Sequence, residues 1–340
     1  MNIQNAHQAD ERVRAANHIV IIQAENPDGD SLGSSLALEA IFNELGKKVT
    51  LYCAIDIPVY LHYAQGWDRV TDEFPRDADL TIIVDTSSTA LMEKALVPEN
   101  LARITAGPVL VMDHHATASD LAFEHIAIND SSAVATGELI FYLAKELGWP
   151  LPKDACENLA VSILADSLGL ITEGTTAQSV YALAGLVERG ARISDIESRR
   201  REFMKKSPEI LAYKGRLLQR IEYYLDNALA VVHIPWDEIH DFSAQYNPSV
   251  LVLDEMRLVE GVRLAVAIKT YPDGKVTGKL RANPDAKIAE TVAAFFGGGG
   301  HPYAAGFKIH GDTLEHVTTE LISATDKALR DYDTKTNATL

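Results

Sequence analysis

The sequence predicts an α/β protein: an N-terminal domain built on a parallel sheet with flanking helices, followed by a smaller C-terminal α+β domain. Three observations carry this expectation. Short apolar runs alternate with helix-period segments through the first half of the chain, as strands joined by crossover helices require. Those runs are almost wholly apolar, the pattern of strands covered on both faces. Beyond about Gly190 the pattern changes to charged helix and then to hairpin-linked strands. With 340 residues, 47% of them hydrophobic, two compact cores are within reach.

Ile19 to Gln23 reads as the first buried strand. From Leu32 the apolar positions Leu36, Ala40, Ile41 and Leu45 recur at helical spacing until Gly46 and Lys47 end the helix. Val49 to Cys53 is a second strand, and Leu80 to Val84 and Val109 to Met112 are two more, each followed by an aspartate. A helix from about Ala135 to Leu147 closes at Gly148, and another from Asp154 to Leu164 runs into Asp166. Charge crowds Arg192 to Lys206 and no strand is expected before Leu229. Residues 190–227 therefore read as a helical linker between a domain of residues 1–189 and one of residues 228–340. In the second domain Ala228 to Ile234, Val262 to Thr270 and Lys275 to Arg281 are strand-like, with Pro272, Asp273 and Gly274 turning between the last two. An amphipathic helix near Ile288 to Phe296, a glycine run and a helix around Leu314 to Leu329 complete it. The tail from Asp331 is polar enough to fray.

Charge and composition exclude several functions. With 31 Lys+Arg against 48 Asp+Glu the net charge is -17, which opposes binding along a long polyanion, so nucleic-acid partners are expected to be short pieces held locally. Cys53 and Cys156, the only 2 cysteines, stand far apart; neither a disulfide scaffold nor a thiolate metal cluster is available, and a reducing cytoplasm is the natural setting. No stretch approaches the roughly 20 apolar residues of a membrane span. Met1 to Arg14 is polar with acids among its bases, unlike a signal peptide, so a soluble cytoplasmic protein is expected.

The chemistry concentrates at strand ends. Asn26-Pro27-Asp28-Gly29-Asp30-Ser31 lies between the first strand and the first helix, where open α/β sheets place their ligands, and Gly29 lets the turn direct two carboxylates toward one centre. The following helix N-terminus suits a phosphate. Asp85, Asp113 and Asp166 also follow apolar segments, so five carboxylates are expected on one rim, joined by His114 and His115. Imidazole with hard oxygen donors suits Mn(II) or Mg(II), with Zn(II) and Co(II) as competitors.

Asp113-His114-His115 together with Asn26-Pro27-Asp28-Gly29-Asp30 resembles the DHH phosphoesterase family, and Gly297-Gly298-Gly299-Gly300-His301-Pro302-Tyr303-Ala304-Ala305-Gly306 resembles its DHHA1 domain. The motifs fall in the family's order and cover most of the chain. In length and domain content the chain is similar to the family's oligoribonucleases that also dephosphorylate adenosine 3',5'-bisphosphate. The resemblance implies two metal ions, preferably Mn(II), with Mg(II) or Co(II) as substitutes. Asp28 and Asp85 would hold the first, and Asp30, Asp85, His114 and Asp166 the second, with Asp85 bridging. It also implies that Arg281 binds a substrate phosphate.

The remaining roles follow from chemistry. Asp113 is suited to orient a neighbouring imidazole, and His115 to contact the phosphate or act as an acid, since its charge changes near neutral pH. Gly298, Gly299 and Gly300 allow close backbone approach to an anion, and His301 adds a donor. Ala304-Ala305-Gly306 argues for close packing around them.

One position departs from the family pattern. Its first motif carries a histidine four residues before the first aspartate, and Ala24 stands there. In an extended chain Gln23 and Glu25 point away from the face of Ala24, and His18 is too far to substitute, so a weak or empty first metal site is expected. The expected function is metal-dependent hydrolysis of short RNA or DNA to mononucleotides, and of adenosine 3',5'-bisphosphate to AMP. A cyclic-dinucleotide phosphodiesterase is the alternative enzyme, and a degenerate nucleotide-binding protein the alternative class. The glycine-histidine segment speaks against an inorganic pyrophosphatase. Whether the protein is a homodimer is left open.

Overall fold

The computed structural model describes residues 3–243 and 245–337. The chain forms two compact units, Met1–Lys205 and Lys206–Leu340.

In the first unit β1 (His18–Ile22), β2 (Lys48–Tyr52), β3 (Leu80–Val84), β4 (Val109–Asp113) and β5 (Ile126–Asn129) form a 5-stranded sheet in the order β2-β1-β3-β4-β5, parallel throughout. The strand order reverses between β1 and β3, which opens a crevice at their C-terminal ends. Around the sheet lie α1 (Ala6–Ala15), α2 (Gly29–Glu44), α3 (Pro98–Ile104), α4 (Thr136–Leu147), α5 (Lys153–Asp166), α6 (Ala177–Glu188) and α7 (Ile193–Phe203). Alternate residues of β1 enter different cores. Ile19 and Ile21 join Leu36, Leu139 and Leu159 from α2, α4 and α5, whereas Val20 and Ile22 join Ile83, Ile104 and Val111 on the other face.

Helix α2 begins three residues earlier than the apolar pattern from Leu32 suggests. Asp28 caps α2 by accepting the N–H groups of Asp30 and Ser31 at 3.0 Å, and the Ser31 hydroxyl accepts the Asp28 N–H at 2.9 Å. Asp30 thus lies in the first turn of the helix rather than in a loop. Glycines on α2 set how near α5 comes: a Cβ on Gly29 would lie 2.4 Å from Ala165 Cβ, and one on Gly33 2.6 Å from the Asn158 carbonyl oxygen. This close crossing carries Asp30 toward Asp166.

In the second unit α8 (Pro208–Gln219) leads into β6 (Glu222–Tyr224), β7 (Leu229–Ile234), α9 (Trp236–Phe242), α10 (Pro248–Arg257), β8 (Leu264–Thr270), β9 (Lys275–Ala282), α11 (Ala289–Phe295), β10 (Gly299–His301), β11 (Ala304–His310) and α12 (Leu314–Asn337). The 6-stranded sheet runs β10-β11-β9-β8-β7-β6, with β7 and β8 parallel and every other pair antiparallel. Its α11 and α12 face packs Val266, Leu280, Val292 and Leu321, while the other face packs Ala265, Ala267, Leu251 and Met256 beneath α10.

Three expectations are corrected. A strand, β6, does precede Leu229; with three residues at the sheet edge, two of them exposed, it carries no apolar run. Strand β5 was not anticipated because only Ile128 of its four residues is buried. Residues 331–337 continue α12 rather than leaving it, and Asp333 accepts two hydrogen bonds from the Arg263 guanidinium at 2.6 and 2.9 Å; the rest of the expected tail, 338–340, lies outside the described residues. Among the described residues no helix is long and apolar enough to cross a membrane.

Candidate metal centre

Asp30 is 1% exposed and saturated with donors. Its Oδ2 accepts the Thr136 N–H at 2.7 Å, and its Oδ1 accepts the Gly137 N–H at 3.2 Å and the hydroxyls of Ser34 at 3.0 Å and Ser162 at 2.5 Å. Thr136 and Gly137 open α4, so the carboxylate sits on the positive end of that helix.

Asp85 follows β3 in the left-handed region, at φ 59°, a conformation that costs a non-glycine residue about 1–3 kcal/mol. It is held there by its N–H, which donates to the Met112 carbonyl at 2.8 Å, and by the Thr136 hydroxyl, which donates to Oδ1 at 3.1 Å. Asp166 ends α5. His114 joins the acids: its Nε2 lies 3.3 Å from Asp166 Oδ2 and 3.6 Å from both Asp30 Oδ2 and Asp85 Oδ1. Its Nδ1 lies 3.2 Å from the Ala133 carbonyl oxygen, to which it donates, leaving Nε2 as the atom aimed at the three carboxylates.

The electrostatics of this cluster call for a cation. Burial, with Asp30 and Asp28 close by, pushes Asp85 well above the ordinary carboxylate range. Burial and Asp30 likewise push Asp166 up to about 6. Among the described residues two donor sets have their atoms within 4.8 Å of one another, Asp30 with His114 and Asp166, and Asp85 with His114 and His115. The donors fit a hard divalent ion, whose charge would offset the crowding of carboxylates.

The other expected site residues lie around this cluster. Asp113 is buried, and the neighbouring imidazole that it orients is His115: its Oδ1 accepts the His115 N–H at 3.1 Å and the ring Nδ1–H at 2.7 Å, and its Oδ2 accepts the Ser87 hydroxyl at 2.9 Å. The hydrogen bond to Asp113 raises the pKa of His115, whose ring is half exposed. Asp28 is exposed, commits Oδ1 to its helix cap and belongs to neither donor set. Ala24 is buried, and its neighbours do not replace a histidine. Glu25 accepts the Lys94 N–H, while Gln23, wholly buried without a hydrogen-bond partner for its amide, continues the alternation of Ile19 and Ile21.

In the second unit Arg281, Ala304 and His301 pair in register across β9, β11 and β10, so the Arg281 and His301 side chains share one face of the sheet. The glycines pack tightly: a Cβ on Gly300 would lie 2.6 Å from the Ala304 carbonyl oxygen, and one on Gly298 2.2 Å from that of Gly306. The Gly298 N–H donates to Ala293 at the end of α11, so it is not the free anion donor expected, whereas Gly299 to His301 are exposed.

Sequence reasoning missed Thr136, Gly137, Ser34 and Ser162 as supports of Asp30. The available signal was Ala135-Thr136-Gly137-Glu138, small and polar residues opening a helix and thus able to present N–H groups.

A parallel α/β sheet whose switch point gathers three aspartates and a histidine, followed by a mixed α+β unit, defines the class of divalent-metal-dependent hydrolases acting on phosphoesters. The chain belongs to the DHH/DHHA1 phosphoesterase family: residues 18–165 match the DHH family, N-terminal domain, and residues 242–331 the DHHA1 domain. It is 25% identical over 312 residues to the bifunctional oligoribonuclease and PAP phosphatase NrnA of Thermus thermophilus, an alignment that spans 92% of this chain and 90% of that protein. Its fold is similar to that of an exopolyphosphatase-related protein from Bacteroides fragilis, with a TM-score of 0.82, 22% identity and 97% of each chain covered. It is also similar to RecJ from Thermus thermophilus solved with Mn2+, at a TM-score of 0.55 and 17% identity, covering 97% of this chain and 55% of that one.

Proposed function

We propose that this protein hydrolyses short oligonucleotides to mononucleotides, and adenosine 3',5'-bisphosphate to AMP, in the cytoplasm, with Mn(II) as the favoured ion. The observation that carries the reading is the position of His114 Nε2 between Asp30, Asp85 and Asp166. The near full-length similarity to a bifunctional oligoribonuclease and PAP phosphatase supports the choice of substrate.

In this reading Asp30, Asp85, His114 and Asp166 hold one ion, and Asp28 and Asp85 a second, weaker one that lacks the imidazole absent at Ala24. Divalent cations so held supply Lewis acidity toward the phosphoryl oxygens and lower the pKa of water. Asp113 holds the His115 ring by Nδ1, which leaves Nε2 to donate a proton or hydrogen bond to the phosphate or the leaving oxygen. The raised pKa keeps more of His115 in the charged donor form at neutral pH. Arg281 and His301 bind a terminal phosphate or short backbone, with Gly299 and Gly300 beside them.

The test is incubation of the purified protein with Mn(II) and dinucleotides, longer oligomers, adenosine 3',5'-bisphosphate, cyclic dinucleotides and pyrophosphate. Mononucleotides from the dinucleotides and AMP from the bisphosphate are expected. Turnover confined to cyclic dinucleotides or pyrophosphate would overturn the reading.

A further inference from the structure

The sheet of the second unit is covered unevenly. Val276, Leu280 and Ala282 of β9 enter the core beneath α11 and α12, so Thr277, Lys279 and Arg281 face the opposite way. On that face lies a cavity of about 510 Å³, lined among others by Ser249, Lys269, Tyr271, Lys279, Gly298 and Lys308. Three features of it point to an anion.

First, among the described residues Lys269, Lys279 and Lys308 have no carboxylate partner, in a chain whose net charge is -17. Lys269 donates only to the neutral Asn247 Oδ1, at 2.9 Å. Burial, then the charge of Lys279, lowers the pKa of Lys269; burial, then Arg281, lowers that of Lys279. Second, the N-terminus of α10 adjoins the same place; Pro248 has no N–H and Asn247 accepts those of Ser249 at 3.2 Å and Val250 at 3.0 Å, so the helix contributes its positive dipole end and not a free donor. Third, Ser249 is 0% exposed, lines the cavity, and its hydroxyl has no hydrogen-bond partner. A buried hydroxyl without a partner is disfavoured unless a ligand supplies one.

We propose that this cavity binds a phosphate group of a nucleotide, held by Ser249 Oγ, Lys269 and Lys279 at the N-terminus of α10. The inference deepens the proposed function and rests on it for the nucleotide character of the ligand. Lys279 stands two residues before Arg281 on the same face, about 7 Å along the strand, a distance comparable to that between successive phosphates of a single strand. If Arg281 takes one phosphate, the cavity is placed for the next.

The experiment is isothermal titration calorimetry on the full chain in chelator, with inorganic phosphate, AMP and a 5'-phosphorylated dinucleotide, for the wild type, Ser249→Ala and Lys279→Gln. Thermal melting checks that each variant folds. Because the Ser249 hydroxyl is already unpaired, Ser249→Ala is expected to melt no lower than wild type. Each variant is expected to weaken binding on the order of tenfold, the usual effect of losing one hydrogen bond to a charged group. Weakening confined to the dinucleotide assigns the site to a strand; equal weakening for AMP and phosphate assigns it to a free nucleotide. Either supports the phosphate site. No binding by the wild type, or unchanged binding of all three ligands by both variants, overturns it. Turnover is absent under these conditions, so failure of the proposed activity is read separately in the Mn(II) assay.

Discussion

His114 Nε2 and Asp166 Oδ2 lie 3.3 Å apart, joining the end of β4 to the last turn of α5. Asp166 has a partly exposed side chain, 37%, and none of the buried donors that hold Asp30. The two aspartates therefore separate ion binding from folding.

Asp166→Asn is expected to fold normally and to lose most activity, with metal affinity lowered by at least 10 to 100-fold, since disturbing even the partner of a ligand has that effect. Asp30→Ala is expected to lose the activity and stability too. It strands the Thr136 N–H in the interior, at about 1–3 kcal/mol for an unsatisfied group, whereas the Gly137 N–H keeps the Ser162 hydroxyl at 3.0 Å. Melting and Mn(II) titration of the two variants distinguish the effects.

The raised carboxylates set a pH dependence for the metal-free protein. Asp166 moves from an ordinary 3.8 to about 6 in the folded state, so between those values the folded chain binds more protons than the unfolded one. Stability must then fall as pH rises through that window; Asp85, raised in the same direction, adds to the fall. Metal binding displaces these protons. Melting in chelator is therefore expected to be lower at pH 7 than at pH 5, and Mn(II) to raise it more at pH 7.

Ala24→His is expected to tighten binding at the second ion site proposed for Asp28 and Asp85 and to shift Mn(II) activation to lower concentration, provided the ring is accommodated where Ala24 is 5% exposed. Calorimetry on both proteins checks this. Two tight, equal sites in the wild type, with no gain in the variant, would show that the alanine leaves no deficit.

Arg281→Ala and His301→Ala are expected to raise KM for dinucleotides with little change in Mn(II) affinity. Both side chains lie on the second unit, whereas the donors of the metal centre all lie on the first. Steady-state kinetics beside a metal titration measure the two effects.

Gly33→Ala is expected to destabilise the fold by about 1–3 kcal/mol, because the added methyl meets the Asn158 carbonyl of α5 at 2.6 Å. Urea denaturation measures it. Activity per folded molecule should fall as well, since the same crossing positions Asp30 opposite Asp166.

The strands that carry Asp85 and Asp113 were legible because β3 and β4 are buried at every position, and such strands appear in sequence as unbroken apolar runs. The edges were not: β5 and β6 are short and Ile128 is their one buried residue, so they carry no run to find. The start of α2 was obscured because Gly29 and Asp30 are poor helix formers, and the cap by Asp28 that compensates for them is a local hydrogen-bond pattern. The gathering of aspartates could be expected from strand ends, but the support of Asp30 by Thr136 spans 106 residues and comes from tertiary packing alone.

The most direct test of the account is mononucleotide release from a dinucleotide by wild type and His114→Ala, each with Mn(II) and with chelator. Rapid release by the wild type in Mn(II), and only background in the other three reactions, is the predicted result. Undiminished release in chelator, or by His114→Ala in Mn(II), would contradict it.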